Sequence, residues 1–389
     1  MPDGSDALVI KVIRTLHDVS ATDWDACVGE GHPFTSHAFL SALEDSGSAN
    51  SESGWMAQHL IIEDPTGPGL LAAAPLYLKN HSYGEYVFDW GWADAYERAG
   101  GRYYPKLQCA VPFTPATGAR MLVRTDLPAE RQRELRQHLG SGMIQLARQL
   151  KVSSAHITFP TEVEWTELGK LGLLQRTGVQ FHWENRDYQC FDDFLGDLNS
   201  RKRKAIRKER KSVADQNLSI RTLSGSDITE LHWDAFYRFY LSTSDRKWGQ
   251  SYLNRTFFSL LGNYLGEKVV LISVEDDGRM VAGALNLRGD STLYGRNWGC
   301  EETHKFLHFE ACYYQAIDYA IKNGLRWVEA GAQGPHKIQR GYLPSPTYSA
   351  HWISDPGLRD AVADFLQHER RGVTLETTEL MRHSPFRTS

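Results

Sequence analysis

The sequence predicts an α/β protein in which one unit, a mixed β-sheet flanked by helices, occurs twice in tandem. Three observations carry that expectation. Short segments recur in the same order in both halves, the second half alternates apolar β-branched runs with one long helical run, and the composition is globular. At 389 residues the chain is long enough for two ordinary domains. Hydrophobic residues make up 41%, charged residues 23% and aromatics 11%, which excludes wholesale disorder. The net charge of -5 argues against a globally basic nucleic-acid binder and leaves room only for a local patch.

The repetition is legible residue by residue. Leu60-Ile-Ile-Glu-Asp64, Ala72-Ala-Ala-Pro-Leu-Tyr-Leu-Lys79 and Tyr86-Val-Phe-Asp-Trp-Gly91 match Ile272-Ser-Val-Glu-Asp276, Val281-Ala-Gly-Ala-Leu-Asn-Leu-Arg288 and Tyr294-Gly-Arg-Asn-Trp-Gly299, at offsets of 212, 209 and 208. Further on, Ala147–Val152 matches Ala320–Leu325 and Phe181-His-Trp183 matches Ala350-His-Trp352, at offsets of 173 and 169. The fall in offset places an insertion in the first copy, near residues 96–127. Each match is weak alone, but five in one order read as a duplication.

The second copy shows the plan of the unit. Val269–Glu275 is an apolar strand, Asp277-Gly278 a hairpin turn, Met280–Leu287 the return strand and Thr292–Trp298 a third. From Phe306 to Lys322 the stripe Leu307, Ala311, Tyr314, Ile317 and Ile321 marks a helix, closed by Asn323-Gly324. Arg326–Ala330 and Thr347–Ile353 supply two further strands. The expected organisation is a first domain over 1–190, a basic connecting helix over 191–216 and a second domain over 217–389.

That connecting segment is the main charge anomaly. In SRKRKAIRKERK, Arg201, Lys202, Arg203, Lys204, Arg207, Lys208, Arg210 and Lys211 face a single acid, Glu209. On a helix Leu195, Leu198, Ile206 and Val213 share one face, so the segment can dock and present a cationic ridge. A solvated linker helix is the plainer reading, but such a helix normally carries compensating acids at i,i+4.

No window approaches 18 consecutive apolar residues, and the amino terminus places acids before a short apolar patch, the reverse of a secretory signal. Five scattered cysteines without a CxxC pair fit a reducing compartment, so the expected location is cytoplasmic. The histidines show no metal-ligand spacing, and no metal site is expected.

The stretch HFEACYYQAIDYAIKNGLRWVEAGAQGPHKIQRGYLPSPTYSAHW resembles the second domain of the FemAB-like acyltransferases. Together with HPFTSHAFLSALEDSG, YGEYVFDWGWADAYERAGGRYYPKLQ, VPFTPATG and the basic segment, it is similar to the FemAB-related predicted N-acyltransferases over about Trp24 to Glu369. The resemblance implies two tandem GNAT-like acyltransferase domains, each a mixed β-sheet flanked by helices. It implies transfer of an acyl or aminoacyl group to an amine, with acyl-CoA or aminoacyl-tRNA as co-substrate and no tightly bound cofactor. The GNAT pyrophosphate loop falls at Arg296-Asn297-Trp-Gly299-Cys-Glu301, where Glu301 and Glu302 would repel a pyrophosphate. The loop in the first copy, Asp89–Asp94, is acidic too. Aminoacyl-tRNA is the other donor that Fem-type enzymes take, and its phosphates suit a cationic helix through Arg203, Lys204, Arg207 and Lys208.

Amide formation from an activated donor needs an oriented carbonyl, a proton acceptor and an oxyanion site, with no covalent nucleophile. Candidate acids and bases are Asp89, whose aromatic surroundings are expected to raise its pKa, and His308, Glu310 and Glu329; each carboxylate also fits a capping or surface role. The loop with Gly334, His336, Lys337, Arg340 and Tyr342 is expected to bring three potential anion contacts, His336, Lys337 and Arg340, together, and the resemblance implies that Arg340-Gly341-Tyr342 lies near substrate. The same loop also fits a solvent-facing turn. Within the insertion Tyr104 and Lys106 suit an acceptor groove or a packed lid. The leading reading is an N-acyltransferase acting by direct attack on an amine-bearing acceptor, a small molecule or a cell-wall-type precursor. The alternative is a catalytically silent pair of modules that binds an anionic partner, a nucleic acid or nucleotide-linked precursor.

Overall fold

The computed structural model describes residues 8–29, 31–247, 251–302, 304–331 and 334–387. It divides into two compact units, Met1–Gly178 with Thr347–Val373, and Val179–Pro346 with Thr374–Ser389. Each unit takes a segment from the other half of the chain, whereas the boundaries expected at 190 and 216 divide the sequence linearly.

The first unit runs β1 (Ile10–Ile13), α1 (Ala21–Val28), α2 (His37–Asp45), β2 (Met56–Ala57), β3 (His59–Glu63), β4 (Leu70–Ala74), β5 (Leu76–Lys79), α3 (Trp90–Arg98), β6 (Lys106–Cys109), β7 (Leu122–Val123), α4 (Ala129–Gln149), β8 (Ser154–Thr158) and α5 (Glu162–Lys170). β3 and β4 pair antiparallel as the repeat predicts. Pro75 then interrupts the run, because it has no N–H to continue the ladder. β4 stays with β3 and β7, while β5 pairs with β2 and β6 in a second sheet. β6 lies parallel to β8, joined to it through the crossover helix α4. Residues 86–91, matched in sequence to a strand of the second half, form an irregular bend over 86–89 and the first two residues of α3. Shared aromatic and glycine composition produced that match; β6, inside the supposed insertion, holds the strand position beside the crossover.

β9 (Leu174–Glu184) leads into the second unit, followed by α6 (Phe191–Asp197), α7 (Ser200–Ala214), β10 (Ser219–Ser224), α8 (Glu230–Lys247), α9 (Arg255–Leu265), β11 (Val269–Asp276), β12 (Arg279–Arg288) and β13 (Thr292–Cys300). The predicted long helix comprises α10 (Leu307–Phe309), a π-helical turn over Glu310–Tyr314 and α11 (Gln315–Lys322); β14 (Trp327–Glu329), β15 (Leu343–Ile353) and α12 (Pro356–Met381) complete the chain. β10 to β13 are successively antiparallel, and β13 and β14 are parallel. Asp277 and Gly278 have φ of 46° and 76°, the left-handed pair that a tight hairpin between twisted strands requires.

The exchange between halves falls on the repeated His-Trp segments. His182–Glu184 of β9 pairs with Trp327–Glu329, and Ser349–Ile353 of β15 pairs with Ser154–Thr158. The core of the second unit gathers Trp183, Ile206, Val213, Val270, Ile272, Leu307, Tyr314 and Ile317, so the apolar face predicted for the basic helix is buried.

Candidate active site

In the second unit the backbone itself opens a gap. Opposite β12, Leu285 faces Asn297 and Asn286 faces Gly295, so Arg296 is an extra, bulged residue. β13 pairs with β14 only over Thr292–Tyr294 and Trp327–Glu329. β13 then continues to Cys300 while β14 ends, and among the described residues no strand covers that edge beyond Tyr294. A side chain at Gly295 would approach the Glu329 carbonyl oxygen to 3.2 Å, so the glycine keeps the two backbones close where they part. Arg296, Asn297, Trp298 and Glu329 are half-buried at this opening. A Glu329 carboxylate oxygen lies 3.9 Å from Nε2 of His182, which also approaches Gln180 Oε1 at 3.2 Å. Burial, helped by Lys337, lowers the His182 pKa to about 4, so the imidazole is neutral at neutral pH.

α7 frames the region through crossed ion pairs. Asn199 starts the helix by accepting a hydrogen bond from the Lys202 N–H. Its lone acid, Glu209, turns inward to accept from Arg340 Nη2 at 3.1 Å and from the Tyr314 hydroxyl. The next residue, Arg210, donates to Glu310 at 3.0 Å and to Asp318 at 2.7 Å. Burial raises the Glu310 pKa and Arg210 works against it. One Glu310 oxygen accepts from Gln315 at 2.7 Å; the other is buried without a partner. The exposed side of α7 carries Arg201, Lys204, Arg207, Lys208 and Lys211. Arg207 pairs with Asp192 at 2.8 Å, whereas Arg201, Lys204 and Lys208 make no ion pair among the described residues.

The loop before β15 directs both of its cations, Lys337 and Arg340, inward. Lys337 is 2% exposed and donates to the carbonyls of Ala330 and Gly331 at 2.6 and 3.0 Å. The Arg340 guanidinium stacks 3.4 Å from the Phe309 ring centroid and donates to the His336 carbonyl. His336 is exposed, with its ring nitrogen 3.0 Å from the Tyr313 hydroxyl. Gly341 has φ 88°, and a Cβ there would meet Phe194 at 2.8 Å, so the basic-Gly-aromatic step is a tight turn. Tyr342 is fully buried and donates to the Tyr313 carbonyl.

The first unit has a separate polar centre, closed to solvent. Lys106 donates to Ser82 and Glu85 at 2.8 Å and to Asp89 at 2.5 Å. The Tyr103 hydroxyl donates to the same Asp89 oxygen at 2.7 Å. His156 is hydrogen-bonded to Ser154 at 2.8 Å and, through its Nδ1, to Nδ1 of His351 at 2.7 Å. Burial acts to raise the Asp89 pKa, but Lys106, His156 and the hydrogen bonds outweigh it and hold the group well below the usual carboxylate range. The sequence-based expectation of a raised pKa is thus corrected: the nearby ammonium dominates the aromatic surroundings. Burial also lowers Lys79, beside Trp55, to about 7.

The structure therefore collects Glu329, Arg296 and Asn297 at one opening, and His308, Glu310, Gly334, His336, Lys337, Arg340 and Tyr342 on the helix and loop beside it. Arg203 is half-buried, and Lys204, Arg207 and Lys208 lie outward on α7. Asp89, Tyr104 and Lys106 belong to the first unit's centre, where Tyr104 is hydrogen-bonded to Ser82 and Lys106 is fully buried. Sequence reasoning missed His182, Tyr313 and Tyr314, and in the first unit Glu85, His156 and His351; it had Arg210 only as part of the outward ridge and Tyr103 only among the tyrosines suited to an acceptor groove. His182 and His351 carried a usable signal, the repeated His-Trp pair; Glu209 carried another, as the only acid in a basic run. Among the described residues no group of His, Cys, Asp or Glu is placed to hold a metal ion, and no helix is long and apolar enough to cross a membrane.

A family model for FemAB-like proteins, described as peptidoglycan biosynthesis/recognition, matches residues 15–388. Among solved structures, FemX aligns with TM-score 0.56 at 13% identity, covering 89% of this chain and 98% of that one. The C-terminal domain of a putative lysylphosphatidylglycerol synthetase from Agrobacterium fabrum aligns with TM-score 0.54 at 10% identity, covering 88% and 94%. L-PGS from Bacillus licheniformis aligns with TM-score 0.50 at 10% identity, covering 87% and 98%. A search of curated proteins gave no match. At these identities the structural likenesses establish the tandem GNAT-like fold, and the family match spans nearly the whole sequence. The chain belongs to the FemAB-like family and is a transferase of that group.

Proposed function

We propose that this FemAB-like chain is an N-acyltransferase that moves an aminoacyl group from aminoacyl-tRNA to an amine-bearing acceptor, with its reaction centre in the second unit. The observation that carries the reading is the parting of β13 and β14 beside Glu329. An uncovered strand edge offers backbone N–H and C=O groups to an extended donor arm, and an N–H there can hold the tetrahedral oxyanion. Glu329, beside the neutral His182, takes a proton from the attacking ammonium; the neutral amine adds to the donor carbonyl, and as the C–O bond breaks the ribose oxygen leaves as a hydroxyl with the second proton shed by the nitrogen. Because one carboxylate suffices, no covalent intermediate on the enzyme is required.

The donor assignment rests on α7. Its outward cations are matched to a phosphate backbone, and its inward pairs with Arg340 and Glu310 fix the helix to the elements around the opening. Glu301 is held by Arg279 at 3.0 Å on the β12–β13 side, and it and Glu302 are exposed, which leaves acidic charge where an acyl-CoA pyrophosphate would approach. The FemX likeness and the family description make a cell-wall-type precursor the leading acceptor class.

Titration calorimetry at low and high salt, with unacylated tRNA and with CoA, tests the donor. Salt-sensitive tRNA binding without CoA binding is expected; saturable one-site CoA binding with no tRNA binding would replace the donor by acyl-CoA. Turnover with aminoacyl-tRNA and a panel of amines separates a transferase from a silent binder, which would hold tRNA and form no amide.

A further inference from the structure

The second unit carries a belt of aromatic rings for which the proposed chemistry has no use. Trp298 on β13 meets His308 with ring centroids 5.5 Å apart, and His308 meets His336 at 6.5 Å. Beneath them lie Phe309, 5.7 Å from His308 and 6.0 Å from His336, and Tyr313, 5.4 Å from His308. Tyr313 is buried, Trp298, His308 and Phe309 are half-buried, and His336 is exposed. This floor is braced: Arg340 stacks on Phe309, and the Tyr313 hydroxyl is hydrogen-bonded to His336.

We infer that Trp298, His308 and His336 form a stacking site for an unpaired nucleobase at the 3′ end of the donor nucleic acid, an inference that rests on the aminoacyl-tRNA reading. Three features select this ligand. The belt adjoins α7, because Lys202 donates to Gln339 at 2.8 Å and Glu209 holds Arg340, both residues of the turn that also carries His336. A cationic helix beside half-exposed rings is the combination that binds single-stranded nucleic acid, with phosphates on the cations and a base on the rings. Two of the three outer rings are imidazoles, whose flat faces accept a stacked base. The belt also begins on β13, four residues past Tyr294, the last residue of that strand paired with β14, so a base stacked there lies beside the opening.

The test compares an unacylated tRNA with the same tRNA lacking its three 3′-terminal nucleotides, measured by equilibrium binding to the full chain. The wild type is expected to bind the complete tRNA about tenfold more tightly than the truncated one. Trp298→Leu and His308→Ala are each expected to abolish that difference while leaving affinity for truncated tRNA unchanged, and Trp298→Phe to preserve it. Thermal melting checks the fold, and His308→Ala decides alone if Trp298→Leu is destabilised. Equal wild-type affinity for the two RNAs, or variants that weaken both alike, would overturn the stacking site and leave the donor reading standing. Absence of binding to either RNA would overturn both.

Discussion

Each unit contains a strand, a crossover helix and a parallel strand, followed by an antiparallel strand bearing a repeated His-Trp pair. In the first unit His351 stands opposite His156; in the second His182 stands opposite Glu329. The first pair is closed by a 2.7 Å hydrogen bond inside a fully buried network, whereas the second is 3.9 Å apart at a half-buried opening. The frame is common to both, and burial separates them. Where two carboxylates share one lysine in the dry interior, the ion-paired network holds the unit together even though Glu85 Oε1 and Asp89 Oδ1 accept no hydrogen bond; where the parallel strands part early, a carboxylate is left at the opening.

The sharpest test of this contrast removes the buried ammonium of the first unit. Lys106→Met leaves Asp89 and Glu85 buried with their principal cation gone, and is expected to cost about 3–5 kcal/mol in denaturant unfolding. A loss below about 1 kcal/mol would show that the centre is wetter than its burial implies.

Glu329→Gln is expected to lower kcat about 100-fold with little change in unfolding, while Asp89→Asn is expected to destabilise with kcat per folded molecule nearly intact. The reverse pattern would move the chemistry to the first unit. Reversing Lys204, Arg207 and Lys208 together to Glu is expected to weaken tRNA binding at least about tenfold and to flatten its salt dependence, with stability shifted by about 0.5 kcal/mol or less. Unchanged affinity would remove α7 from the donor site.

The smallest effect concerns Lys79, whose pKa is lowered to about 7 in the folded chain. Between that value and its ordinary 10.5 the unfolded chain binds the extra proton, so stability rises with pH across this window; below it the penalty for charging the buried amine is fully present. The stability of wild type relative to Lys79→Met should therefore climb from pH 7 to 10, by no more than about 1.4 kcal/mol per pH unit. A flat difference would mean that Glu85 and Asp89 keep the amine charged throughout.

Local sequence carried much of the fold. The hairpin at Asp277-Gly278, the strands on either side, the helix closed by Asn323-Gly324 and the buried face of the basic helix all follow from periodicity and turn chemistry acting over a few residues. The duplication was legible because the repeated segments bury similar faces. The third repeat failed because composition around Tyr86–Gly91 imitates a strand, while Asp89 is drawn onto a lysine 17 positions away. Among the candidate site residues, Arg296 and Asn297 are singled out by the resemblance to a GNAT pyrophosphate loop, although they lie inside β13 and not in a loop, Glu329 by its place at the end of a strand, and the outward cations of α7 by charge density.

Which side chains meet was settled only by tertiary structure. Nothing near Arg340 in sequence indicates that Glu209 takes its charge, or near Glu310 that Arg210 does, because those partners lie 131 and 100 residues away. The exchange of the His-Trp strands between units and the reversal of the expected Asp89 pKa have the same origin. Hydrophobic period and backbone preference act locally and are written in the chain. The pairing of buried charges depends on which distant groups share a low-dielectric interior, and only the folded arrangement determines that.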